Sequence, residues 1–222
     1  TPWGPNWKLF WLYHHPWPAS DYVFTLMTNN LPVGNPPKAD YFLMAAADDR
    51  NPPMRANFDT RYGPSTFIKG RWHRWEVYMK GSTTDGTLQA WEMNSGVKRT
   101  QIASRGGVVT IHAGETWDTL HFPGYGRGDT NSQTYYDDIY VATGNGARAR
   151  VEIGNAPKYT DCTNLAVLTP TSWSDAAIIA TMRQGSFHMG DTAYIFVLDP
   201  DGVPNSRGYQ VTIGRHADQP KS

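Results

Sequence analysis

The sequence predicts an all-β chain: an antiparallel two-sheet sandwich followed by a smaller β-sandwich unit. Three observations predict it. Aromatic residues make up 13% of the 222 residues and charged residues only 18%, a balance that suits a β-rich extracellular protein. Runs of β-branched and aromatic residues recur along the chain, punctuated by 21 Gly and 16 Pro, as turns between short strands require. The longest helix-like stretch, Ser174–Gln184, spaces its apolar residues poorly for a helix.

The first part of the chain reads as strands over Lys8–His14, Tyr22–Thr28, Asp40–Ala46, Arg55–Arg61, Trp72–Lys80, Thr87–Met93, Val108–His112, Thr119–Phe122 and Tyr135–Ala142. Asp85-Gly86 is a tight-turn signal between two of them. Thr143-Gly144-Asn145-Gly146 marks a boundary, after which the aromatics thin out. Four or five further strands follow, over Ala149–Ile153, Ala166–Leu168, Ile178–Met182, Ala193–Leu198 and Tyr209–Ile213, with Asp199-Pro200-Asp201-Gly202 as a strong turn. The expected division is residues 1–145, residues 146–215 and a flexible tail over 216–222. A chain of this length buries enough surface to fold without staples.

Charge and cysteine content exclude several classes. Lys+Arg and Asp+Glu are both 20, and no basic cluster offers the concentrated positive face that a nucleic-acid binder needs. No apolar run approaches the ~18 residues of a membrane-spanning helix. The single Cys162 permits no intrachain disulfide and reads as a structural thiol. Thr1 is not a translation start, so the chain is expected to be a processed product or a fragment.

The chemistry concentrates in Gly70-Arg71-Trp72-His73-Arg74-Trp75-Glu76-Val77-Tyr78-Met79-Lys80. Strand alternation sends Trp75, Val77 and Met79 to one face, and Arg74, Glu76, Tyr78 and Lys80 to the other. In the same way Leu120 and Phe122 turn His121 outward, and Ile139 and Val141 turn Tyr136, Asp138 and Tyr140 outward. Phe58 inward leaves Arg55, Asn57, Asp59 and Arg61 outward or near the rim. On one shared sheet these residues would form a polysaccharide groove, with aromatic platforms for sugar faces and charges for hydroxyls and carboxylates. The plainer alternative is a sheet face tied by cross-strand ion pairs, each worth at most ~1 kcal/mol.

Gly70-x-Trp72-His73-Arg74-x-Glu76-Val77-Tyr78-x-Lys80, Asp85-Gly86-x-Leu88-x-x-Trp91 and Tyr136-x-Asp138-Ile139-Tyr140-Val141 together resemble the concanavalin A-like, laminin-G-like jelly roll, in the version of bacterial glucuronan and alginate lyases. The resemblance covers roughly Lys8 to Thr143. It implies a substrate along a concave sheet and β-elimination on a uronate-containing glycan. Catalysis would fall to Arg74, Tyr78, Lys80 and His121. Arg74, Arg55 or Lys80 would neutralise the carboxylate, His121 or Lys80 would act as base, and Tyr78, Tyr136 or Tyr140 as acid or as both. Glu76, Arg55, Asn57, Tyr136, Asp138 and Tyr140 would bind substrate. Related alginate lyases carry Arg-x-Glu-x-Arg and Gln-Ile-His; here stand Arg74-x-Glu76-x-Tyr78 and Thr110-Ile111-His112.

Other readings stay open. A glycosidase needs two carboxylates ~5–9.5 Å apart, and Glu76 with Asp138 is the best pair. A non-catalytic carbohydrate-binding or adhesion module would use the same face, and a structural surface or filament subunit would use strand edges. The Trp3, Trp7, Trp11 and Trp17 cluster is a glycan platform or core. No zinc spacing is present; a structural Ca²⁺ held by Asp48-Asp49 or Asp137-Asp138 is the one cofactor considered. The last third, with Trp173-Ser174-Asp175, Thr192-Ala193-Tyr194, Asp199-x-Asp201-Gly202 and Gly208-Tyr209-x-Val211, resembles small immunoglobulin-like modules of secreted bacterial proteins. The expected setting is therefore secreted or cell-surface, with a polysaccharide as partner and no nucleic acid or membrane insertion.

Overall fold

The computed structural model describes residues 7–15, 23–29, 41–47, 60–64, 71–94, 96–114, 116–121 and 135–214. The described elements are thirteen strands and one short 3-10 helix, all strand pairings are antiparallel, and the chain is all-β. It divides into two compact units, residues 1–92 with 100–134, and residues 93–99 with 135–222. Among the described residues no helix is long and apolar enough to cross a membrane.

The first unit holds two sheets. In the five-stranded one, β1 (Trp7–His15) lies between β2 (Val23–Asn29) and β8 (Thr116–His121), and β3 (Tyr41–Ala47) and β4 (Thr60–Pro64) continue outward from β2. The three-stranded sheet runs β5 (His73–Lys80), β6 (Gly86–Asn94), β7 (Thr100–Val108). Its middle strand is the best buried: Leu88 and Ala90 are inaccessible and Trp91 nearly so. The pairing of β6 with β7 slips twice. At the first slip Gly107 is the extra residue, with φ 68, a left-handed value that glycine reaches at no steric cost.

Two expected strands are corrected here. The strand expected at Val108–His112 lies earlier, at Thr100–Val108, and 109–112 is irregular. Thr100-Gln101-Ile102-Ala103-Ser104-Arg105-Gly106-Gly107 looks like a poor strand because it is mostly polar and glycine, as an edge strand of its sheet can be. The segment 135–142 forms no strand. Asp138 sits at φ 49, which breaks the extended run, and Ile139 and Val141 are exposed instead of buried. Of the Arg55–Arg61 strand, 55–59 lie outside the described residues.

The second unit is a curled five-stranded half-barrel in the order β11 (Ile178–Thr181), β10 (Leu165–Trp173), β9 (Arg150–Gly154), β12 (Thr192–Leu198), β13 (Tyr209–Thr212). Alternation along β9 sends Val151 and Ile153 to one side of the sheet. There they pack with Leu168, Phe187, Ala193 and Ile213, flanked by Ala166, Ile178, Ala180, Ile195 and Val211. The opposite face packs Phe196 and Leu198 against Leu165, Tyr159, Cys162 and Met93, the 3-10 helix Tyr159–Asp161 forming part of the cover. Each large apolar side chain fully buried in this way contributes ~1.5–3 kcal/mol. Residues 93–99, the end of β6 and the turn to β7, fold with this unit: Met93 enters its core, Lys98 Nζ donates to Asp161 at 2.7 Å, and the Arg99 guanidinium lies 5.8 Å from the Tyr159 ring centre.

Candidate functional site

The candidate face belongs to the β5–β6–β7 sheet. His73 Nδ1 lies 3.1 Å from Glu92 Oε1, and that contact fixes which faces correspond. Side chains touching across neighbouring strands share a face, so alternation groups His73, Trp75, Val77 and Met79 with Leu88, Ala90 and Glu92. The opposite face then carries Arg74, Glu76, Tyr78 and Lys80 from β5, and Thr87, Gln89 and Trp91 from β6. Gln101 and Ser104 of β7 pair with Trp91 and Gln89.

Arg74, Glu76 and Tyr78 are all half-buried. The Arg74 guanidinium is 3.8 Å from the Glu76 carboxylate, so its charge is partly balanced before any ligand arrives. Gln89, in the same row, has its side-chain oxygen buried with no hydrogen-bond partner. An unmatched buried carbonyl costs ~1–3 kcal/mol, and a ligand hydroxyl or amide is one way to satisfy it.

Lys80 ends the row and is exposed. Its ammonium donates to Asp85 Oδ2 at 2.8 Å. The Asp85 carboxylate holds the Lys80 ammonium above its ordinary value, and the ammonium holds the Asp85 carboxyl below its own. A lysine held in its charged form is a cation for a carboxylate, not a proton acceptor near neutral pH.

The turn that carries Asp85 is locked from a distance. Ser82 Oγ accepts from the backbone N–H of Asp85 at 2.9 Å and of Thr84 at 3.2 Å. Thr110, fully buried, accepts the Ser82 N–H on its hydroxyl at 2.7 Å and donates that hydroxyl to the Lys80 carbonyl at 2.8 Å. Trp117 Nε1 donates to the Thr110 carbonyl at 3.0 Å. Gly86 fits only as glycine, because a Cβ there would lie 2.3 Å from Thr110.

The remaining candidates are distributed as follows. His121 ends β8, where its backbone pairs with Trp11, so it belongs to the five-stranded sheet. Tyr136, Asp138 and Tyr140 belong to the second unit and to no sheet. The expectation that these segments share one sheet with β5 is therefore corrected: alternation assigns each residue a face, and only hydrogen-bond partners decide which strands are neighbours. Arg55, Asn57 and Asp59 lie outside the described residues, as do Asp48 and Asp49. Among the described residues no group of three or more His, Cys, Asp or Glu could hold a metal ion.

Three groups went unnoticed in the sequence as parts of this face. Gln89 was visible as a polar residue alternating with Leu88 and Ala90. Asp85 was visible as a turn residue, without its carboxylate's role. Thr110 had no local signal, because its partners are 28 and 30 residues away.

The buried acid of the second unit is of another kind. Glu152 is inaccessible to solvent and is held by Arg150 Nε at 2.5 Å and the Tyr159 hydroxyl at 3.2 Å. No solute reaches it, so it serves packing. No protein-family model, curated protein or solved structure matches the chain.

Proposed function

We propose that this chain is an extracellular polysaccharide-handling protein that takes an anionic, uronate-containing glycan along the β5 face. The observation that carries the reading is the half-buried row Arg74, Glu76 and Tyr78 beside the unmatched Gln89 oxygen. Such a face offers a guanidinium for a carboxylate, acceptors for hydroxyls and a phenol edge for a sugar ring. The concanavalin A-like jelly roll and the immunoglobulin-like module remain the fold assignments that go with this reading; the antiparallel all-β architecture is compatible with them.

Two versions share the face. In the lyase version Arg74 neutralises the uronate carboxylate, a base removes the C5 proton, and the electron pair moves to expel the glycosidic oxygen, which takes a proton from an acid. Tyr78, on the Arg74 side of the sheet, serves as both base and acid; Lys80, held protonated by Asp85, supplies positive charge. In the binding version the same groups hold the chain and nothing is cleaved. The Arg74–Glu76 contact favours the second version, because a paired guanidinium has less charge to lend to a transition state.

A panel of glucuronan, alginate and heparin-like chains tests both. Near-ultraviolet absorbance from unsaturated ends, lost in Tyr78→Phe with binding retained, supports the lyase. Retardation on affinity gels with no product, weakened in Arg74→Ala and Gln89→Leu, supports the binding module. Neither retardation nor product on any acidic glycan removes the proposal.

A further inference from the structure

Each cation on the β5 face carries its own carboxylate. Glu76 lies 3.8 Å from the Arg74 guanidinium, and Asp85 accepts from Lys80 Nζ at 2.8 Å. A densely charged polyanion gains little from such a face, because attraction follows the local excess of charge. The order of the groups then decides what fits.

Side chains two apart on a strand stand ~7 Å apart, so Arg74 and Lys80 are ~20 Å apart with Glu76 and Tyr78 between them. Gln89 and its β7 partner Ser104 lie on the same face. Gln89 Oε1 is buried without a hydrogen-bond partner, while the residue as a whole is only half-buried, so a ligand lying on the face meets its side chain. Between the two cations the face therefore presents acceptors: a carboxylate, an orphaned amide oxygen, and the Ser104 and Tyr78 hydroxyls, which also donate.

A linked pyranose ring is shorter than the ~7 Å step between these side chains. In a uronate homopolymer every ring carries a carboxylate. With one carboxylate on Arg74, the next falls within reach of Glu76, where like charges repel, and a carboxylate has no proton to give the Gln89 oxygen. In an alternating chain the ring after the uronate is neutral. When that ring is an N-acylhexosamine, it brings an amide N–H and hydroxyls to the acceptors.

We propose, on the reading of this face as a site for uronate-containing glycans, that its substrate is the alternating class, in which each uronate is followed by an N-acylhexosamine. Arg74 takes the uronate carboxylate. Gln89 Oε1 accepts the amide N–H of the next ring. Glu76 accepts a hydroxyl and turns away a second carboxylate, so selection works by repulsion as well as attraction.

Affinity gels on the full chain test this with two polymers of matched length that share one uronate: glucuronan, a homopolymer, and hyaluronan, in which glucuronate alternates with N-acetylglucosamine. Hyaluronan should bind at least ~tenfold more tightly. Gln89→Leu should narrow that ratio by weakening hyaluronan alone. Glu76→Gln also releases Arg74 and strengthens both, but glucuronan more, so the ratio again narrows. Circular dichroism checks that each variant folds; if Gln89→Leu does not, Glu76→Gln decides. Glucuronan bound as tightly as hyaluronan, or more so, overturns this inference and leaves the wider glycan reading standing. A hyaluronan preference that neither variant narrows overturns it too. Retardation by neither polymer or by any other acidic glycan overturns both.

Discussion

Glu152→Ala removes the carboxylate that balances the charge of Arg150, a residue only 6% exposed. In the folded chain Glu152 takes hydrogen bonds from Arg150 Nε at 2.5 Å and from the Tyr159 hydroxyl at 3.2 Å, while Arg150 also donates to the Arg148 carbonyl at 3.2 Å. Arg150 and Glu152 are two apart on β9 and therefore share the face covered by Tyr159 and its neighbours. Breaking a buried ion pair from one side costs ~3–5 kcal/mol, because the remaining charge stays out of water. That is a large share of the ~5–15 kcal/mol that holds a domain folded. With a urea slope of ~1–3 kcal/mol per molar, the unfolding midpoint should fall by about 2 M. The companion variant, Arg150→Met with Glu152→Leu, removes both charges and should lie within ~2 kcal/mol of the parent. Urea unfolding followed by circular dichroism measures both. A loss below ~1 kcal/mol for Glu152→Ala, or a double variant as damaged as the single one, would refute the reasoning.

Three further outcomes follow from the same geometry. Thr110→Val should cost about 2–3 kcal/mol, since two backbone groups lose their hydroxyl partner in a site closed to water, whereas Thr110→Ser should keep most of the stability; equal unfolding midpoints would contradict the lock. Asp85 should titrate by nuclear magnetic resonance below the ordinary carboxylate range and return toward it in Lys80→Ala. The small stabilisation from this pair is present above the ordinary carboxylate pKa of Asp85 and is lost as pH falls through the lowered one. On the Lys80 side it is present below the ordinary lysine pKa and is lost as pH rises through the raised one. The Cys162 thiol, fully buried and pushed up by that burial, should react with a disulfide reagent only as fast as the chain opens; native-state labelling at the rate of a free thiol would show otherwise.

The strands that read well in the sequence were those whose own apolar residues justify them. Gly86–Asn94 and Thr192–Leu198 are dense in Leu, Ala, Trp, Ile and Phe, and both are buried. Thr100–Val108 escaped notice because it pairs with β6 while having only Ile102, Ala103 and Val108 as apolar residues of its own. Tyr135–Ala142 misled for the opposite reason: its composition is that of a strand, but a strand needs a partner. The chain turns at Asp138 instead, with the Asp137 carboxylate accepting the Asp138 N–H at 2.8 Å. On the candidate face, the alternation of Arg74, Glu76, Tyr78 and Lys80 was available locally. That Glu76 contacts Arg74, that Asp85 holds Lys80, and that Thr110 fixes the turn between them depends on groups brought together by pairing.

By itself, then, the sequence determined the all-β class, the positions of most strands and the parity of the side chains along each, because period-two alternation and turn chemistry act over a few residues. Tertiary structure alone decided which strands are neighbours. It thereby separated His121 from the β5 sheet, buried Glu152 against Arg150 and kept 139–143 out of any strand. Those outcomes depend on contacts between distant segments, which no local pattern encodes.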